Sequence, residues 1–157
     1  MRTKWQMAIW IALFAALLAA CGDGDNKNDQ GGTNGNGGDT AEKLADLAIS
    51  TIEVLPAQPR AGEVFALNVY VTNLGEAPSG AFELAISIRD VTRGSTYPVG
   101  TFRGESLQPG EDVPVFSSTD RRVNDPGSFQ VQVELSPLGP DGNDQNDKKN
   151  RAFTAMQ

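Results

Sequence analysis

Three segments of the chain alternate strictly between apolar and polar side chains. Because successive side chains of a β-strand point to opposite faces, this period of two predicts strands that bury one face and expose the other. Such strands are typical of an antiparallel sandwich, with Val69, Ile86 and Val131 inside and Tyr70, Ser87 and Gln132 outside. The alternating apolar positions are Phe65, Leu67, Val69 and Val71; Phe82, Leu84, Ile86 and Ile88; and Phe129, Val131, Val133 and Leu135.

Weaker strand patterns fill the gaps between these segments. Residues 46–54 change phase between Ile49 and Ile52, which predicts a β-bulge. Residues 96–103 are mixed, and residues 151–157 form the predicted last strand. Pro114 cannot donate to a ladder, so its strand is predicted at a sheet edge. About seven strands between residues 44 and 157 predict an all-β, immunoglobulin-like antiparallel β-sandwich.

The first 20 residues have the pattern of a signal peptide. Arg2 and Lys4 precede an uncharged stretch, residues 7–20, which ends in small side chains. That stretch is too short to span the roughly 30 Å hydrocarbon core of a bilayer as a helix. Its length and its basic start are typical of a cleaved leader.

Leu18-Ala19-Ala20-Cys21 resembles the lipobox of bacterial lipoproteins. The resemblance implies cleavage before Cys21 and a diacylglyceryl group on its thiol. Each buried CH₂ contributes roughly 0.8 kcal/mol, and two or more acyl chains anchor a protein stably. We therefore expect a lipid-anchored protein of the cell envelope. Gly22 stands where enteric bacteria carry an inner-membrane retention Asp, which favours the outer membrane in a Gram-negative cell.

Residues 21–43 are predicted to connect the anchor to the sandwich. Between residues 22 and 38 there is no apolar side chain. A segment with nothing to bury cannot offset its ordering entropy, so we expect a flexible tether. Its 17 residues span roughly 20–25 Å as a random coil, at about 5–6 Å × √n.

The charge balance and the absence of histidine restrict the function. Of the 13 basic residues two lie in the leader, which leaves 11 against 20 acidic residues and a formal charge of −9. Such a surface would repel nucleic acid. The chain lacks His, the commonest general base, and its single Cys is assigned to the lipid. No nucleophile elbow or phosphate loop is present, so we predict a protein that is not an enzyme and needs no cofactor.

Three features in the predicted loops are candidate sites. Asp141, Asp144 and Asp147 lie within seven residues, and carboxylates this dense can bind Ca²⁺ weakly. Lys148 and Lys149 supply countercharge, and the spacing does not match an EF-hand, so a structural loop over residues 141–150 is favoured. Asn73 is predicted to hydrogen-bond its own backbone in a turn. Residues 121–122, both Arg, are predicted to be a solvated pair in a loop.

Motifs in residues 44–157 resemble the bacterial CARDB family, the cell-adhesion-related domain found in bacteria. The resemblance implies an immunoglobulin-like fold and a role in adhesion or protein assembly. The motifs are Ala45-Asp46-Leu47-Ala48-Ile49, the spaced Pro56, Pro59 and Gly62, Val71-Thr72-Asn73-Leu74-Gly75, Pro126-Gly127-Ser128-Phe129 and the Asp/Asn-rich loop 141–150.

The leading hypothesis is thus a non-catalytic interaction module displayed on the envelope, with an unidentified envelope protein or glycan as its partner. A small regulator or inhibitor of an envelope enzyme is the first alternative. A weakly Ca²⁺-dependent carbohydrate binder is the second. Carbohydrate sites commonly expose aromatic platforms, and past the leader the chain has only Tyr70 and Tyr97 with no Trp.

Overall fold

A computed structural model describes residues 43–157. Seven antiparallel strands form two sheets, a three-stranded sheet in the order β1-β2-β5 and a four-stranded sheet in the order β4-β3-β6-β7. The predicted all-β sandwich is confirmed. The strands are β1 (Leu47–Leu55), β2 (Val64–Asn73), β3 (Phe82–Asp90), β4 (Ser95–Gly104), β5 (Asp112–Arg122), β6 (Gly127–Pro137) and β7 (Lys148–Ala155), and a 3-10 turn, η1, covers Asp144–Asn146.

The alternating patterns place the core as predicted. Val69, Ile86 and Val131 are buried between the sheets, and their neighbours Tyr70 and Ser87 are half-buried on the outer faces. Burying each such aliphatic side chain contributes about 1.5–3 kcal/mol relative to exposure. The core therefore comes mainly from β2, β3 and β6, the strands with two neighbours in their sheets.

Two irregular strands also follow their sequence patterns. The register of β1 against β2 shifts between Ile49 and Thr51, which is the predicted bulge. β5 lies at the edge of its sheet, as predicted. Pro114 pairs with Tyr70 of β2, and no strand on its other side requires the N–H that proline lacks. β4 pairs with β3, so it belongs to the four-stranded sheet, unlike the fourth strand of a constant-type immunoglobulin domain.

Two sequence assignments are wrong. β5 continues through Arg122, so Arg121 and Arg122 end a strand and do not lie in a loop. β7 begins at Lys148 and not at Arg151, so residues 148–150 of the supposed acidic loop are strand. Both errors concern exposed, polar strand ends, where backbone pairing with a neighbour extends the strand although no apolar alternation marks it.

Candidate functional site

The loops of the sandwich lie at its two ends. The near end holds residues 43–46, where the described chain begins, together with the β2–β3, β4–β5 and β6–β7 loops. The far end holds the β1–β2, β3–β4 and β5–β6 loops and the last residues of the chain. Asp141, Asp144 and Asp147 therefore share the near end with Asn73, whereas Arg121, Arg122 and Tyr97 lie towards the far end.

Asn73 is fully buried at the near end of β2. Its Oδ1 accepts from the backbone N–H of Gly75 at 3.0 Å, the predicted turn bond, and from that of Asp46 at 3.2 Å. Its Nδ2 donates to the carbonyls of Ala77 at 2.8 Å and Leu107 at 3.0 Å. These four bonds use both donors and both acceptor lone pairs of the amide. Asn73 is thus a structural hub and not a free ligand contact.

Gly75 explains why the Asn-x-Gly spacing occurs at this turn. Residues 44–46 pack directly on it, with Leu74 N–H donating to the Asp46 carbonyl at 2.7 Å and Glu76 N–H to that of Leu44 at 3.0 Å. A Cβ at position 75 would overlap the Leu44 carbonyl and would lie 2.5 Å from the Asp46 nitrogen. A glycine here therefore lets the start of the domain lie against the β2–β3 loop.

Asp141 uses its carboxylate within the loop framework. One oxygen accepts from the backbone N–H of Leu47 at 2.8 Å, and the other from that of Asn143 at 3.3 Å. The first bond crosses 94 residues of sequence and fixes the β6–β7 loop to the start of β1. Asp141 therefore has a structural role, although carboxylate oxygens can accept more than one partner.

Asp147 differs from the other loop aspartates because it is buried. It follows η1, is 9% exposed, and its backbone carbonyl accepts from Leu135 N–H at 2.7 Å. Its Oδ1 has no hydrogen-bond partner. Burial, which is the largest cause, and the nearby charges of Asp141, Asp144 and Asp46 together raise the pKa of this carboxyl to about 6.

Asn146 and Asp46 complete this cluster, which we name the acidic cluster: Asp46, Asp141, Asp144, Asn146 and Asp147. Asn146 Nδ2 donates to Asp46 Oδ1 at 2.7 Å, and its own Oδ1 is buried without a partner. Sequence reasoning missed both residues because they lie 100 positions apart. The CARDB-like motif marks Asp46 in the sequence, but it does not predict that Asp46 contacts the β6–β7 loop.

The two lysines predicted to neutralise the loop have other partners. Lys148 Nζ pairs with Glu134 Oε1 at 2.8 Å on the outer face of the four-stranded sheet. Lys149 Nζ donates to the carbonyls of Ser50 at 2.6 Å and Ile49 at 3.2 Å, at the bulge of β1. Within residues 43–157, neither forms an ion pair with an aspartate of the acidic cluster. The direct contacts of both lysines therefore lie elsewhere, and Lys148 interacts with Asp147 only through the charge of that carboxylate.

Across residues 43–157, no three carboxylate, histidine or cysteine side chains already converge as a set of metal ligands. The acidic cluster is thus a concentration of oxygens from two segments and not a closed cage. Tyr97 lies near the far end of β4 and Tyr70 in the middle of β2, so neither aromatic ring belongs to the loops of the acidic cluster.

The far end has a buried aspartate of the opposite kind. Asp90 Oδ1 accepts from Arg93 N–H at 2.9 Å, and Oδ2 pairs with the Arg93 guanidinium at 3.0 Å. Burial acts to raise the pKa of Asp90, but the backbone and guanidinium of Arg93 outweigh it and lower that pKa overall. Arg93 also pairs with Asp125 at 3.5 Å. A cavity of about 230 Å³ lies beside this group, lined by Asp90 and Asp125 with Ile88, Tyr97, Arg122, Val123, Asn124 and Phe129.

Arg121 is not simply solvated. Its guanidinium lies 5.7 Å from the ring centre of Phe116, its Nε donates to Ser118 Oγ at 2.9 Å, and its Nη2 pairs with Asp120 at 3.3 Å. These contacts hold it along β5, which explains its partial burial. Arg122 faces the cavity of the far end.

Cys21, the predicted lipidation site, and the predicted leader and tether up to residue 42 lie outside the described residues. Among the residues that are described, no helix has the length and apolar character needed to cross a membrane.

The fold resembles solved structures at low sequence identity. The CARDB domain of a Pyrococcus furiosus protein, solved in complex with di-metal ions, is 17% identical with a TM-score of 0.61, over 74% of this chain and 98% of that chain. A domain assigned to the cell surface of Methanosarcina acetivorans is 19% identical with a TM-score of 0.52, over 73% and 94% of the two chains. No curated protein sequence matches the chain.

Two sheets with loops at both ends define the class, a small immunoglobulin-like sandwich module. The CARDB family model matches residues 44–150, and the chain belongs to the CARDB family. Membership of this family supports a non-catalytic interaction domain.

Proposed function

We propose that this protein is a lipoprotein, anchored through Cys21, whose CARDB domain presents its far end to a protein partner in the cell envelope. The anchor rests on the lipobox resemblance of residues 18–21. Two or more acyl chains would hold the domain at a membrane without a spanning helix. In a Gram-negative cell, Gly22 favours the outer membrane.

Exposed apolar side chains are the observation that carries the interaction role. Five of the eight large apolar residues exposed in residues 43–157 belong to the far end, and three to the near end. Apolar side chains with charged neighbours such as Arg93 and Asp125 are typical of an interface with an apolar centre and a polar rim. The five are Leu55, Val64, Val91, Tyr97 and Met156.

The same surface is compatible with the first alternative, a small inhibitor that covers an envelope enzyme. The second alternative, a Ca²⁺-dependent carbohydrate binder, has less support. A calcium ion that bridges protein and sugar must lie beside the sugar platform, but Tyr97 lies towards the far end whereas the acidic cluster lies at the near end.

Cys21→Ala tests the anchor. We expect loss of a metabolically incorporated fatty-acid label and accumulation of the uncleaved chain, because the lipid is attached to this thiol. The matched control is Gly22→Ala, which keeps the thiol and should keep the label. A Cys21→Ala chain that still carries the label would exclude the proposed anchor.

Photo-crosslinking in cells tests the surface. A crosslinking amino acid at Val91, at the far end, should give a discrete adduct with a second protein. The same amino acid at Leu74, at the near end, is the matched control, since both positions are exposed and apolar. Equal adducts from both positions, or adducts from Leu74 alone, would contradict presentation of the far end.

A further inference from the structure

Two buried side-chain oxygens at the near end have no donor. In the part of the chain that the structure describes, Asn146 Oδ1 and Asp147 Oδ1 are the buried side-chain polar atoms without a hydrogen bond. An unsatisfied buried polar group costs about 1–3 kcal/mol, and more when it is charged. Because the two atoms lie on consecutive residues of one loop, a single bound cation or donor could satisfy both.

The missing group must be positive or must donate protons. The carboxylates of Asp141, Asp144, Asp46 and Glu134 lie close enough to Asp147 to raise its pKa. Glu134 is paired with Lys148, and Lys149 is held at the bulge of β1. Like charges at short range repel unless a cation lies between them. A bound cation would relieve the repulsion and supply the partner for both oxygens.

We propose that the acidic cluster binds one Ca²⁺ ion. Its ligands are the buried Asp147 Oδ1 and Asn146 Oδ1 and the more exposed carboxylates of Asp46 and Asp144. This proposal does not depend on the proposed function.

The chemistry of the donors selects calcium. Every donor is a carboxylate or amide oxygen, and Ca²⁺ takes six to eight such ligands in a flexible geometry, whereas Mg²⁺ demands a near-ideal octahedron. Within residues 43–157 no three carboxylates converge, so the exposed side chain of Asp144 on η1 would have to turn towards the ion, and water would complete the shell. A site closed by one mobile ligand belongs to the weak range of extracellular modules, with Kd about 10⁻⁴–10⁻³ M.

The ion would join two segments that are distant in sequence. Asp46 precedes β1, whereas Asn146 and Asp147 precede β7. The Asn146–Asp46 hydrogen bond already connects these segments. Calcium would strengthen that connection at the point where the domain continues from the preceding chain.

The test measures thermal midpoint and Ca²⁺ binding on the purified full-length chain at neutral pH. The conditions are EGTA, about 5 mM CaCl₂, MgCl₂ at the same concentration, and NaCl of equal ionic strength. We expect Ca²⁺ to raise the midpoint by a few degrees and the other salts to raise it less. Calorimetry should give Kd within about 10⁻⁴–10⁻³ M.

Three variants make the test specific. Asp147→Asn should raise the midpoint in EGTA, since it removes a buried uncompensated charge, and should abolish the Ca²⁺ shift. Asp144→Asn should weaken binding about tenfold. Glu105→Gln, an exposed acid in the β4–β5 loop of the same end, should leave binding unchanged. A wild-type midpoint that Ca²⁺ raises no more than NaCl, or a full Ca²⁺ shift retained in Asp147→Asn, would overturn the proposal.

Discussion

Asp90 and Asp147 are both buried aspartates in the described domain, and they lie at opposite ends of the sandwich. Asp90 receives a backbone N–H and a guanidinium from Arg93, and its pKa is lowered. Asp147 has an unpartnered oxygen and several acidic neighbours, and its pKa is raised to about 6. Asp90 thus has a countercharge in direct contact, whereas Asp147 forms no ion pair within residues 43–157.

The difference shows that burial alone does not decide what a carboxylate does. A buried charge stabilises a fold when paired and hydrogen-bonded, and destabilises it when it is not. The compensated aspartate fixes the β3–β4 turn. We expect the uncompensated one to make the near end responsive to protons and to Ca²⁺.

We expect the largest loss of stability from a substitution in the core, which both ends of the domain share. Ile86→Ala should lower the free energy of unfolding by about 2–5 kcal/mol, because it opens a cavity between the sheets. Ser87→Ala, the next residue on the outer face, should change it by no more than about 0.5 kcal/mol. Chemical denaturation measures both. Equal effects would mean that the phase of β3, on which both ends are placed, is wrong.

Asn73→Ala should have the next largest effect. The change removes four hydrogen bonds and leaves buried carbonyls of Ala77 and Leu107 without this donor, at a cost of about 2–3 kcal/mol. Asn68→Ala is the control on the same strand, since Asn68 is only half-buried and bonds the half-buried Glu53 and the exposed Ser117. If Asn73→Ala were no worse than Asn68→Ala, the near end would not depend on this hub.

Asp90→Asn tests the compensated end. We expect a lower thermal midpoint, because the guanidinium of Arg93 loses its buried partner. Asp125→Asn removes the other, exposed partner of Arg93 and should have a smaller effect, since exposed pairs contribute little. A larger loss for Asp125→Asn would reverse the assignment of which carboxylate holds Arg93.

The smallest expected effect is the pH dependence of stability, which distinguishes Asp147 from Asp90. Asp147 binds its proton more tightly in the folded state, with a pKa of about 6 against the ordinary 3.8, so stability should rise as the pH falls from 7 towards 5. Asp90 has a lowered pKa, so its contribution is lost only below pH 3.8.

Thermal melts in EGTA measure this dependence. Asp147→Asn should flatten the rise between pH 7 and 5 and leave the acid limb unchanged. A wild-type curve that falls steadily on acidification from pH 7 would contradict the assignment to Asp147.

Most of the fold follows from the sequence because alternation reports directly on which face a strand buries. The bulge near Ser50 and the edge position of Pro114 could also be predicted from local features. The alternation changes phase at the bulge, and proline lacks the N–H that a central strand needs. The ends of β5 and β7 could not be predicted, because their polar residues extend strands through backbone pairing, which carries no side-chain pattern.

The candidate site could be predicted only in part. The local density of aspartates in residues 141–147 is visible in the sequence. That Asp147 is the buried one of the three depends on tertiary packing, which the sequence pattern does not report. The role of Asp46 depends on a contact across 100 residues. Lys148 and Lys149 are adjacent to the aspartates in sequence, yet strand geometry directs them to Glu134 and to the bulge of β1.

The bond from Lys149 to the bulge has a consequence for how copies of this domain behave beside one another. β1 and β7 are edge strands of different sheets, and an edge carbonyl without a partner is a template for a strand from another molecule. Lys149 occupies the carbonyls of Ile49 and Ser50 with an ammonium group from within the same chain. An incoming strand would have to displace this charge to pair there, so the bulge and its lysine together protect the domain against edge-to-edge aggregation.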